Sequence, residues 1–257
     1  MLPLQRLSQK ELKLYASLQV KKYRELHHLF IAEGIKVIEE TISLFEIEAI
    51  LVTSEKTLDL LRSNSAFNLQ KVRLVDDKEM ARLSALDRGK DIITIYKIPD
   101  SPQLSAPQGL YVALDTIQNP GNMGTIIRLC DWLGIRHILC GTGCVDIYNP
   151  KVVQATAGAL GSVIVHENVD LTDILPRHFK VICGTKMEGT PLNQISQHNP
   201  NEPTCILFGN EGHGISADLQ SICTDFYSIP AAPSSTTDSL NVGISAAIIL
   251  SKLTGLT

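Results

Sequence analysis

Ile206-Leu207-Phe208-Gly209-Asn210-Glu211-Gly212-His213-Gly214-Ile215 is the plainest stretch in this chain. The apolar run Cys205 to Phe208 reads as a buried strand, and it stops at a turn with glycines at 209, 212 and 214. Glycines there let the backbone take positive φ or let a ligand approach closely. One acid, Glu211, sits inside the turn, where it suits no core but could orient something at a strand end. On its own such a turn is more often only a turn, so the flanking sequence has to decide.

Working outward, strand and helix patterns alternate from Gly109 to the end. Candidate strands are 110–114, 137–140, 162–165, 181–183, 205–208 and 226–229. Candidate helices are 124–133, 151–160, 215–222 and 242–253. Alternation of this kind predicts an α/β fold with a mostly parallel sheet, whose ligands bind beyond the carboxyl ends of the strands. Two further stretches fall at such ends. In the first, a strand closes at Asp115, a turn Asn119-Pro120-Gly121 follows, and a helix is expected near Asn122, a natural N-cap. Arg128 comes six residues later among Ile126, Ile127 and Leu129; it could snorkel, pair with Asp131 or Asp115, or serve a site. In the second, a polar loop 234–238 delivers Ser239-Leu240-Asn241 to another helix start, where backbone N–H groups await partners.

The amino-terminal part reads differently. Residues 8–43 have a helical pattern broken near Gly34, and Ser8 with Glu11 matches a capping box. Short strands are expected at 49–52, 72–75 and 92–96. Then Pro99, Pro102 and Pro107 fall within nine positions without periodicity, which reads as a linker. The expected organisation is a small α/β unit at 1–97, a linker at 98–108 and a larger domain at 109–257.

Composition sets outer limits. The chain has 257 residues, 44% of them hydrophobic and 19% charged, as in an ordinary globular protein. No apolar run reaches the length of roughly 18 residues that a membrane span needs, and the start lacks the pattern of a secretory signal. Six cysteines lie in or beside apolar segments without a C-x-x-C pair, which favours buried reduced thiols in a cytoplasmic protein over a metal site. A net charge of −4 argues mildly against nucleic acid. The first 30 residues nevertheless hold six Lys or Arg, including Lys21, Lys22 and Arg24, against two acids. A solvated helix face explains that cluster as well as RNA contact does.

Taken together, the three stretches resemble the SpoU (TrmH) branch of the SPOUT RNA methyltransferases. That family shows N-P-x-N-x-G-x-x-x-R, F-G-x-E-x-x-G and S-L-N-V, and these stand here as Asn119 to Arg128, Phe208 to Gly214 and Ser239 to Val242. Lys151 to Ala159 is similar to the family's intervening segment, and residues 10–96 are similar to the small substrate-binding domain of many members. The resemblance implies a deep trefoil knot, a rare exception to unknotted topology. It also implies a homodimer and S-adenosyl-L-methionine as methyl donor, its adenine against backbone at Gly209, Ile229 and Leu240. The acceptor would be a ribose 2′-hydroxyl in structured RNA, ribosomal rather than transfer RNA by analogy with the added domain. Arg128 would clamp the target phosphate, Glu211 would fix Arg128 or the turn's amides, and Asn122, Ser239 and Asn241 would shape the pocket. Lys21, Lys22 and Arg24 would capture RNA. One departure stands out: Gly243 occupies a position where the family usually has serine, and Ser245 follows two residues on.

Two rivals are weaker. A non-catalytic knotted RNA-binding module would have little reason to keep Arg128, Glu211 and Asn241 together. A dinucleotide-binding oxidoreductase needs G-x-G-x-x-G at the first strand–helix turn, and Gly141-Thr142-Gly143 is only a fragment of it.

Overall fold

Two sheets organise the chain. The structure, a computed structural model, describes residues 5–63, 67–86, 91–100, 103–104 and 106–256, so residues 101, 102 and 105 of the expected linker lie outside it. Its contacts define two compact units: Met1–Asp100 with Asp146–Ser162, and Ser101–Val145 with Val163–Thr257. Strand–helix alternation groups 146–162 with the second unit, whereas its packing groups it with the first.

In the first unit the elements are β1 (Gln5–Arg6), α1 (Gln9–Ser17), α2 (Lys21–His27), β2 (Leu29–Glu33), α3 (Ile35–Thr41), β3 (Ile47–Val52), α4 (Glu55–Ser63), β4 (Val72–Leu74), α5 (Asp77–Leu83) and β5 (Ile92–Lys97). The five strands form one mixed sheet in the order β1-β4-β3-β5-β2, with β5 antiparallel to both neighbours. The helical reading of 8–43 needs correction at β2. Leu29 to Glu33 are all buried, so the segment has two inward faces, which suits a covered strand rather than an amphipathic helix. His28, at φ 51°, ends α2 and turns the chain into β2. The capping box does form at α1: Ser8 N donates to Glu11 Oε2 at 2.8 Å, and Glu11 N donates to Ser8 Oγ at 3.2 Å.

Leu12, Leu18, Ile31, Leu51 and Ile93 build a core on one side of this sheet. Phe30 gathers an aromatic group with Phe45, Tyr96 and Tyr148, the ring centroids lying 4.9–5.4 Å from its own. Burial pushes the Tyr96 hydroxyl up to about 12, and it shares a 3.1 Å hydrogen bond with Thr41 Oγ1. Asp146–Ser162 is locked into this unit by a buried ion pair. Arg24 Nε donates to Asp146 Oδ2 at 2.9 Å, Nη2 reaches the same oxygen, and Nη1 donates to the Leu18 carbonyl at 2.6 Å. Gly158, at φ 94°, lies so close to Glu40 that any side chain would collide with it.

The carboxyl-terminal half contributes β6 (Leu110–Leu114), α6 (Pro120–Trp132), β7 (His137–Gly141), α7 (Pro150–Thr156), β8 (Ile164–Val169), α8 (Leu171–His178), β9 (Val181–Pro191), β10 (Thr204–Phe208), α9 (Ala217–Ser221), β11 (Asp225–Ser228) and α10 (Val242–Thr254). Of these, α7 lies within Asp146–Ser162 and so packs with the first unit. The remaining six strands form a wholly parallel sheet, β11-β9-β10-β6-β7-β8. Both β6 and β10 are buried along their whole length, as strands covered on two faces must be. Strand order runs outward from β6 through β7 to β8, while β9 to β11 lie on the other side. The adjacent ends of β6 and β10 are therefore a topological switch point.

Three details escaped the sequence reading. Helix α8 contains Pro176, which masks its periodicity, and begins at the N-cap Asp170. Strand β9 runs far past Cys183, and its register with β11 jumps from Phe226 opposite Gly184 to Tyr227 opposite Thr190, so that residues 185–189 fall between paired positions. Helix α6 starts at Pro120 rather than near Asn122.

Candidate active site

The ends of β6 and β10 are tied by side chains that follow them. Thr116 adopts φ 57°, a costly conformation for a β-branched residue. Its hydroxyl donates to Asp115 Oδ1 at 2.9 Å, and its carbonyl accepts from Asn210 Nδ2 at 2.9 Å. Asp115 Oδ2 in turn accepts from Ser216 N at 2.8 Å. The turn after β10 closes on itself: Asn210 and Gly214 exchange backbone hydrogen bonds at 3.0 and 2.8 Å. This explains Gly209, because a Cβ there would enter the backbone of Gly214 and Ile215.

Glu211 stands in that turn with two amides on one oxygen. Asn241 Nδ2 donates to Glu211 Oε1 at 3.0 Å, and Asn122 Nδ2 donates to the same atom. Asn241 Nδ2 also reaches Asn122 Oδ1 at 3.0 Å. Three residues separated by 89, 30 and 119 positions thus form one polar triangle. Asn241 is at the same time the N-cap of α10, accepting from Gly243 N at 2.9 Å. Asn122 is no N-cap. Asn119 takes that role, accepting from Gly121 N and Asn122 N, with Pro120 in the first turn, and this frees the buried Asn122 side chain for Glu211.

Arg128 lies on the exposed side of α6 and has no hydrogen bond or ion pair among the described residues. Glu211 therefore holds the side-chain amides of Asn122 and Asn241, and neither Arg128 nor the amides of its own turn, where Gly212 N donates to Asn210 Oδ1 at 2.8 Å; Asp131 faces Arg136 at 3.8 Å. Ser239 and Leu240 are exposed in the loop before α10. Gly209, Ile229, Ser239 and Leu240 all line a cavity of about 600 Å³, within the roughly 300–1,000 Å³ typical of small-molecule sites. Its walls include apolar Phe208, Ile215 and Ile249, and Lys186, whose Nζ sits 3.9 Å from the Phe226 ring centre. A second cavity of about 380 Å³ adjoins Asn122 and Glu211.

The amino-terminal cations separate. Lys21 is exposed and pairs loosely with Glu25 at 3.7 Å, and Lys22 is exposed. Arg24 must be struck from the expected RNA contacts: it is 2% exposed and occupied by Asp146 and Leu18. Sequence reasoning also overlooked the ties made by Asp115, Thr116 and Asn210. Asp115 follows a predicted strand directly and Asn210 follows one after Gly209, which is the one signal that pointed to them.

The comparisons with known proteins agree with this geometry. The description of the MRM3-like substrate binding domain matches residues 9–94. The chain is 28% identical over 245 residues to the 23S rRNA (guanosine(2553)-2′-O)-methyltransferase RlmP of Bacillus subtilis, covering 94% of each chain. A solved TrmH-family structure from Porphyromonas gingivalis superposes with a TM-score of 0.86 at 32% identity, over 98% of this chain and 99% of that one. An AdoMet-bound rRNA methyltransferase from Sinorhizobium meliloti does so at 0.82 and 25% identity, over 97% and 96%. With the SpoU rRNA Methylase description matching residues 109–251, three motifs converging on one polar triangle and a parallel sheet of this order, the chain belongs to the SpoU rRNA methylase family.

Proposed function

We propose that this protein methylates a ribose 2′-hydroxyl in ribosomal RNA with S-adenosyl-L-methionine as donor. The observation that carries this reading is the Asn122–Glu211–Asn241 triangle beside a cavity that suits the donor. The cavity fits by size, by apolar walls for a flat ring, and by Lys186 as a cation for a carboxylate. Gly209, Ile229 and Leu240 would hold the adenine end through their backbone. When bound, the cofactor supplies an electrophilic methyl on its sulfonium.

The chain's own residues then position the acceptor. Arg128, whose planar guanidinium presents several N–H donors in a fixed fork and no acceptor, serves as a bidentate clamp on the target phosphate. It also stabilises negative charge developing on the ribose oxygen. Glu211, fixed by two amides, holds Asn122 and Asn241 in place, and Ser239 closes the cofactor end. Holding reactants in line at about 3–3.5 Å is the larger part of the task. RNA is captured by Lys21 and Lys22 in the first unit, so charge reversal there should flatten the salt dependence of RNA binding.

The carboxyl-terminal loop and α10 complete the trefoil knot expected of this family. Trp132, 85% exposed on α6, and Ile244 and Ile248, exposed four residues apart on α10, are large apolar side chains available to a second copy; light scattering should give a dimer that Ile248→Arg weakens. Six free cysteines, four of them buried, suit the cytoplasm. Mapping ribose methylation in ribosomal RNA from cells lacking the gene, then restored with it, tests the function. Binding of RNA with no gain of methylation would favour the non-catalytic reading.

A further inference from the structure

The second cavity is bounded by Ile117, Gln118, Asn119, Asn122, Asn210 and Glu211. Asn210 and Glu211 also line the first cavity. The two spaces therefore meet at the turn after β10, and what enters the second lies next to what fills the first. Unused hydrogen-bonding groups face this space. The Gln118 carboxamide is exposed and has no hydrogen bond among the described residues. Asn119 Oδ1 is taken by Gly121 N at 2.8 Å and Asn122 N at 3.2 Å, which leaves its Nδ2 as a donor. Glu211 receives both amides on Oε1, which leaves Oε2 as an acceptor.

This set of groups discriminates among parts of a nucleotide. Among the described residues no lysine or arginine bounds the cavity, so its chemistry does not favour a phosphate. Free carboxamides with a neighbouring acceptor match the edge of a nucleobase, where a side-chain amide can donate and accept at once. Enzymes that act on one nucleotide of an RNA commonly take it out of its stack and read it by its hydrogen-bonding edge.

We propose that Gln118 is a specificity-determining residue that reads the base of the nucleotide whose ribose is methylated. The second cavity receives that base, and the ribose lies at the Asn210–Glu211 wall. This rests on the proposed function, and the experiment separates the two. The full-length protein and its Gln118→Leu and Gln118→Glu variants are each returned to cells lacking the gene, and ribose methylation is mapped across the ribosomal RNA. Transcripts spanning the mapped site, with each of the four bases at the target, are then assayed with purified protein.

Wild type should favour one base by about 10- to 100-fold, the usual discrimination of a bidentate side-chain contact. Gln118→Leu should lose most of that preference, through a lower kcat/KM for the favoured base alone. Gln118→Glu, which exchanges a donor for an acceptor, should shift the preference to another base. Calorimetry should show unchanged cofactor affinity in both variants. A rate loss equal for all four bases, or a preference unchanged in both variants, overturns the proposal and leaves the methylation reading standing. No methylation by wild type overturns that reading and the proposal with it.

Discussion

Two arginines show how differently the two units use the same side chain. Arg24, on α2, is 2% exposed, with its guanidinium filled by Asp146 and the Leu18 carbonyl. Arg128, on α6, is exposed and has no partner among the described residues. Their sequence contexts suggest the reverse. Arg24 follows Lys21 and Lys22 in a basic run, as a surface cation would, whereas Arg128 stands among isoleucines, as a paired interior arginine would. A saturated arginine has no donors left for a ligand and matters for folding. An unsaturated one adds little to stability and keeps its planar fork for a phosphate.

The largest effect expected from this contrast is on stability. Arg24→Ala would leave Asp146 buried without its partner, a loss typically costing about 3–5 kcal/mol. Denaturant unfolding should show a lower midpoint at an unchanged slope. Replacing both partners with apolar residues should recover much of the loss, because the desolvation cost disappears with the charges. A midpoint unmoved by Arg24→Ala would dissolve the contrast.

Arg128 should behave in the opposite way. Arg128→Ala and Arg128→Lys should each reduce methyl transfer by about 10²–10³, as the loss of one stabilising contact does, while the melting temperature and cofactor affinity stay put. Raising the pH should partly restore the Arg128→Ala rate as the hydroxyl loses its proton to solvent, and added guanidinium should restore more. A lysine variant at wild-type rate would show that charge alone suffices.

Glu211→Gln sharpens the comparison within the second unit. The amides of Asn122 and Asn241 would face a neutral acceptor in place of a charged one, which halves such hydrogen bonds roughly. Methyl transfer should fall by about tenfold, with cofactor binding little changed. Ser245→Trp probes the cofactor cavity separately, since Ser245 lines it on the first turn of α10. Calorimetry should show the donor's affinity lost, whereas a side chain at Gly209 would disturb the turn as well.

The smallest effect belongs to the capping box. Ser8→Ala should cost about 0.5–2 kcal/mol, the usual range for an N-cap. Hydrogen bonds from the Ser8 side chain and backbone hold the Glu11 carboxyl below its ordinary value of 4.5. A depressed folded-state value means that this contribution is complete above pH 4.5 and fades as pH falls through the lowered value. The stability gap between wild type and Ser8→Ala should therefore narrow in acid. A gap constant with pH would leave Glu11 outside the box.

By itself the sequence determined what depends on local pattern. Alternating apolar runs and turns marked the parallel sheet, and the strand at 110–114 was placed to the residue because such runs need no distant information. Three motifs in order named the family and the residues Asn122, Glu211 and Asn241. Only tertiary structure decided who meets whom. Leu29 to Glu33 became a strand because β5 was there to pair with it. Residues 146–162 joined the first unit because Arg24 could reach Asp146 across 122 positions. Glu211 chose two amides over Arg128 because the N-cap at Asn119 turned Asn122 inward. A propensity is a property of neighbours along the chain. A buried charge or a shared proton is settled by whichever partner the fold brings within about 3 Å, and that distance is written nowhere in the sequence.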